Sequence, residues 1–173
     1  MTDIRIVFTT DNAWYSRLIR SITRSKVSHV LVSFYSPCLG KVVAMHATPT
    51  GYVVEPWKRI VATRRVVAMY RCTIPLDDAV KDLAEWLGTR YNYAGVFGAA
   101  IQAIAALFGR RIRNPLNDAR KLYCSEAIVR LVQFPPVPRS VVLVPESTSP
   151  ERLLSKYINV ERKLFPKVPR EAA

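Results

Sequence analysis

Histidine occurs only twice in this 173-residue chain and cysteine three times, and acidic side chains are half as numerous as basic ones. Each shortage excludes something. Cys38, Cys72 and Cys124 are odd in number and form no CxxC pair, so neither a disulfide framework nor a zinc ribbon is expected. A reducing compartment is the simpler setting for such thiols. The opening MTDIRIVFTTD has no long apolar core, so no secretory signal is expected and the protein reads as cytoplasmic. The longest uncharged apolar stretch, residues 93–109, is broken by Gly95, Gly98 and Gln102 and stops at Arg110. It falls short of the ~20 apolar residues of a membrane span and reads as a buried helix, with peripheral membrane attachment still compatible. With 26 Lys and Arg against 13 Asp and Glu, the net charge is +13. That suits a polyanionic partner such as anionic lipid, an acidic wall polymer or nucleic acid, and equally a solvated basic surface. The basic residues are spread along the chain, so a nucleic-acid role is permitted but not indicated.

Half of the residues are hydrophobic, enough for one core in a domain of this length. The pattern predicts a strand over residues 4–9, then a helix over 12–24 in which Trp14, Leu18 and Ile22 recur every four residues and Asp11 or Asn12 caps the start. Strands follow over 26–35, 41–47 and 52–55, joined by turns at Pro37–Gly40 and Gly51, and another over 65–74. In the first of these, His29, Leu31 and Ser33 share one face and Val30, Val32 and Phe34 the other. Helices are predicted over 76–87, with Gly88 as its C-terminal glycine, near 93–108, and over 124–134. A short last helix is opened by Ser149-Pro150-Glu151. Strands early and helices late make an α+β chain with a mostly antiparallel sheet, one domain over 1–165 with a loose tail over 166–173.

The chemistry-bearing residues are few. A thiol is a poor nucleophile until ionised, and a histidine or a helix N-terminus raises the thiolate fraction. Cys124 stands where a helix begins, which favours the anion. His29 lies on a strand that can hold an imidazole rigidly, and His46 lies one hairpin away, able to orient it. Cys38 and Cys72 read as ordinary small side chains. The same three residues could instead hold a zinc ion with an open position, although no second metal motif accompanies them.

Ser28-His29-Val30, then Ala44-Met45-His46-Ala47, then Tyr123-Cys124-Ser125-Glu126 resemble, in that order, the permuted NlpC-like papain-fold hydrolases of the YiiX type. The same superfamily includes the lecithin:retinol acyltransferase-like enzymes. Gly51-Tyr52-Val53, Gly88-Thr89-Arg90-Tyr91-Asn92-Tyr93 and Ser149-Pro150-Glu151 are similar to further stretches of that family, so the resemblance covers roughly residues 29–154. It departs at Asn92, where an aspartate is common, and at Leu31, where a glycine is usual. The resemblance implies a circularly permuted papain-like fold with Cys124 as nucleophile, His29 as general base and His46 as the third polar group. It implies no cofactor, and a substrate that is a peptide or amide bond, as in peptidoglycan, or a fatty-acyl amide or ester. The N–H of Cys124 and the hydroxyls of Tyr91 or Tyr93 are oxyanion or substrate-binding candidates. Glu126 reads as first-turn helix electrostatics. The amide or peptide reading leads. Lipid acyl hydrolysis or transfer, and a catalytically silent basic binding module, are its rivals.

Overall fold

The computed structural model describes residues 2–91, 98, 101, 105, 109–110, 123–133, 143–145 and 148–169. Strand β1 (Thr2–Thr10) leads into helix α1 (Trp14–Thr23), then β2 (His29–Ser36), a 3₁₀ turn over Pro37–Leu39, β3 (Lys41–Thr48) and β4 (Gly51–Pro56). Helix α2 (Trp57–Thr63), β5 (Arg65–Arg71), α3 (Asp77–Ala84), α4 (Cys124–Gln133) and α5 (Pro150–Leu153) follow. The five strands form one sheet in the order β4-β3-β2-β1-β5, every neighbouring pair antiparallel. The chain is therefore an α+β protein, as its strand and helix pattern predicts.

Period-two alternation decides what each sheet face meets. Ile6, Phe8, Val30, Val32, Phe34, Val43 and Met45 point to one side, where α3, α4 and α5, with the helical turn Leu154–Ile158 that continues it, close the main core. Val7, Leu31, Ala44 and Met69 point to the other, under Trp57 and Ile60 of α2. A large apolar side chain buried in this way contributes about 1.5–3 kcal/mol relative to exposure. Helix α2 is absent from the sequence expectation. It is seven residues long and β-branched in part, and what makes it a helix is the apolar face it lays on the sheet.

Several boundaries differ from expectation. Strand β5 ends at Arg71: the N–H of Cys72 still donates to the Ile4 carbonyl of β1, and that of Thr73 turns away to the Leu164 carbonyl. Neither Asp11 nor Asn12 is the N-cap of α1. That place belongs to Ala13, whose N–H donates to Asp11 Oδ1 at 3.0 Å. The Trp14–Leu18 side of α1 faces solvent, with Trp14 72% exposed, while Ser16 is buried. The tail is docked as far as Val168: Arg71 donates to the Pro166 carbonyl, Lys167 bridges Tyr70, and Val168 donates to the Met69 carbonyl. The free edge of β5 supplies those partners. Ser149 caps α5 as predicted, accepting the Arg152 N–H at 3.2 Å. The predicted helix near 93–108 lies almost wholly outside the described residues. Among those described, no helix is long and apolar enough to cross a membrane.

Candidate active site

The β2–β3 ladder runs from Ser36↔Lys41 to Val32↔Met45. His29, Val30 and Leu31 lie beyond its end, so this stretch of β2 is paired only with β1. Helix α4 packs on β2 and β3 there and starts with Cys124. The consequence is chemical. A strand N–H released from a ladder needs another acceptor, and the Val30 N–H is aimed at the Cys124 sulfur. Ser125 supplies a second N–H from the first turn of α4. Ser125 Oγ also donates to the Thr148 carbonyl at 2.5 Å, anchoring this turn to the segment before α5.

The two histidines meet. His29 Nε2 and His46 Nδ1 are 3.1 Å apart, and the rings sit edge-on with centroids 5.3 Å apart. Both are buried, at 6% and 2% exposure. Behind them stands Glu55, which sequence reasoning did not single out. Its Oε2 is 3.4 Å from His46 Nε2, a charge contact too poorly aligned to be a formed hydrogen bond. The signal was in the hairpin. A turn closing at Thr48↔Gly51 pairs His46 with Val53 and Ala44 with Glu55, so His46 and Glu55 share a face as diagonal neighbours.

Arg64, directly after α2, is the second residue not foreseen. Its guanidinium forms a 2.7 Å ion pair with Asp11, both side chains 12% exposed. Its charge is felt at His29, His46 and Cys124. Burial, followed by Arg64, pushes His46 down to about 4 against the opposing pull of Glu55. Burial, Arg64 and the neighbouring imidazole hold His29 well below its ordinary value. Cys124 is 5% exposed, and burial pushes its thiol up. The N–H groups of Val30 and Ser125, with Arg64, pull the other way and do not prevail. Burial thus favours the neutral forms of the Cys124 thiol and of both imidazoles, against the pull toward the thiolate that a helix start supplies. Among the described residues no hydrogen bond joins the thiol to either ring.

The remaining candidates scatter. Tyr91 is half-buried and packs against the main core, and Tyr93 lies outside the described residues. Glu126 is buried and engages Arg130 at 3.1 Å, one helical turn on, while Arg130 lies over the Trp86 ring. Cys38 is exposed on the β2–β3 turn, and burial pushes Cys72 up to about 12. No group of three or more His, Cys, Asp or Glu among the described residues is arranged to hold a metal ion. Two of the family-like stretches pair with each other: the Tyr52 N–H donates to the Thr89 carbonyl and the Gly88 N–H to the Tyr52 carbonyl, both at 2.9 Å. No known family model matches the chain, and no curated protein does so.

Proposed function

We propose that this chain is a cysteine hydrolase of the permuted NlpC-like papain type that cleaves an amide or peptide bond through a thioester on Cys124. The observation that carries this reading is the line Glu55–His46–His29, whose last member directly precedes Val30, the residue whose N–H is aimed at the Cys124 sulfur. The carboxylate of Glu55 favours a proton on His46 Nε2, which leaves His46 Nδ1 as an acceptor. His29 must then donate to it from Nε2. The lone pair of His29 is left on Nδ1, the nitrogen available to take a proton from sulfur.

From a neutral pair the chemistry runs as general-base catalysis. His29 Nδ1 takes the Cys124 proton as sulfur bonds to the substrate carbonyl carbon, and the carbonyl oxygen gains the negative charge. A backbone N–H at the start of α4, that of Cys124 itself, suits that oxyanion. Protonated His29 gives its proton to the departing nitrogen as the carbon–nitrogen bond breaks. Water then attacks the thioester, losing its proton to His29, and the thiol returns as the acid product leaves. Arg64 favours the thiolate form along this path. The basic character of the chain suits a wall polymer or an anionic membrane as the setting.

A second reading, a silent binding module, draws support from the buried, raised thiol. Incubation with muropeptides and with N-acyl amides, followed by intact-mass analysis with and without hydroxylamine, separates the two. A hydroxylamine-labile adduct on Cys124, lost in Cys124→Ser, is expected. Full turnover by Cys124→Ser would reject the assignment.

A further inference from the structure

A cavity of about 730 Å3 lies between the α1–β2 turn, strand β5 and the C-terminal segment, and none of Cys124, His29 or His46 lines it. Its size falls within the range of small-molecule sites, about 300–1,000 Å3. Four cations, Arg24, Lys26, Arg162 and Lys167, surround it with exposed side chains, and Glu151 is its single acid. The floor is apolar: Val27 and Ala68 are buried there.

The wall is built, not merely basic. Arg24 ends α1 in the left-handed region, at φ 49° and ψ 42°. Glycine or asparagine normally takes that position, because a Cβ there is strained. A strained residue kept at a cavity rim points to use of its side chain. The following residue fixes the turn: Ser25 donates its N–H to Arg20 O at 3.0 Å and its Oγ to Glu151 Oε2 at 2.6 Å, and accepts the Val27 N–H at 2.9 Å. The one acid is thereby engaged in holding the cationic turn. On the far side Arg162 Nε donates to the Asn159 carbonyl, and Asn159 Oδ1 accepts from Tyr70, so that cation too is tethered to the floor. Lys167 is placed by its bridge to Tyr70.

We propose that this cavity binds a phosphate-bearing ligand, its oxygens taken by Arg24, Lys26, Arg162 and Lys167 and its apolar portion by Val27 and Ala68. Two guanidinium forks and two ammonium groups against one engaged carboxylate match the double charge and multiple acceptors of a phosphate monoester better than a single carboxylate. The site is separate from the thiol chemistry and stands or falls without it.

The test is thermal unfolding of the full chain with inorganic phosphate, titrated against chloride at constant ionic strength. A saturable rise in Tm is expected. Arg24→Gly relieves the positive φ, so its own Tm should hold or rise while its phosphate Kd weakens at least tenfold; Arg162→Ala should weaken binding as much. Vesicle flotation then separates the sources. Phosphatidic acid vesicles bound by the wild type and released by inorganic phosphate identify a lipid head group. No flotation, or flotation that Arg24→Gly retains in full, identifies a soluble phosphate ester. A response to phosphate no greater than to chloride, or an unchanged affinity in either variant, overturns the proposal.

Discussion

Glu55 and His46 face each other across the β3–β4 hairpin, Oε2 to Nε2 at 3.4 Å, and the carboxylate favours the His46 tautomer with its proton on Nε2. With the His46 proton on Nε2, the 3.1 Å contact to His29 requires the His29 proton on Nε2 as well. Long-range 1H–15N correlation spectra of the imidazoles at pH 7.5 should therefore find both rings as Nε2–H tautomers. In Glu55→Ala the His46 tautomers should mix, and turnover, once a substrate is in hand, should fall about 10- to 100-fold, as for the loss of a group that orients a base. A His29 proton on Nδ1 in the wild type would remove the base from the proposed mechanism.

Burial of two neutral imidazoles has a pH signature. An unfolded histidine titrates near 6.5, whereas His46 is pushed down to about 4 and His29 well below its ordinary value. Between those values the unfolded chain binds more protons than the folded one, so stability is full above about pH 6.5 and drains away as pH falls toward 4. The slope reaches about 1.4 kcal/mol per pH unit for each proton involved. Urea unfolding at pH 7.5, 6.0 and 5.0 should record the loss, and His46→Gln should flatten it. Equal stability at all three pH values would mean that the rings are not buried neutral.

The reactivity of the three thiols follows from their surroundings. Cys38 is exposed, Cys124 is buried with its thiol pushed up, and Cys72 is pushed to about 12. Iodoacetamide at pH 7.5, read by peptide mass spectrometry, should label Cys38 first, with Cys124 at least tenfold slower and gaining rate only toward alkaline pH. Fast labelling of Cys124 at pH 6 would instead indicate a standing thiolate–imidazolium pair, and the general-base sequence would have to be abandoned.

What the sequence disclosed divides along physical lines. Strands β1 to β4 and the meander were legible because period-two alternation and short turns are local signals; a shared face for His29 and His46 was only compatible with that pattern, and the β2–β3 register with the 3.1 Å ring contact decides it. The start of α4 at Cys124 and the Ser149 cap were legible for the same reason. Helix α2 was not, since its seven residues are held by Trp57 and Ile60 against a sheet formed from distant segments. Arg64 was hidden with it. The exposed Trp14 side of α1 shows the opposite failure: the spacing predicts a helix, but which face is covered depends on what the rest of the chain brings to it. The raised thiol was likewise invisible, because a helix N-terminus and a histidine are read from sequence whereas desolvation is set by the packed fold.

Glu55 depends on a glycine at the start of its own strand. Gly51 has φ 134°, and a Cβ built there comes 2.6 Å from the Thr89 carbonyl oxygen, which is backbone and cannot swing aside. That oxygen accepts the Tyr52 N–H, and Tyr52 is among the largest fully buried side chains. Gly51→Ala must therefore either shift the Gly88–Thr89 segment or break this pairing at the start of β4. Strain at such a position costs about 1–3 kcal/mol, and a lost buried hydrogen bond adds to it. Because β4 carries Glu55, the damage should also reach the histidines: the mutant should lose about 2 kcal/mol or more in urea unfolding and show mixed His46 tautomers. Thr50→Ser, one residue earlier on the exposed turn, is the control; it keeps the hydroxyl and should change neither. If Gly51→Ala left both measurements as in the wild type, Gly51 would be no more than a turn residue and the coupling between this turn and the Glu55–His46 contact would be disproved.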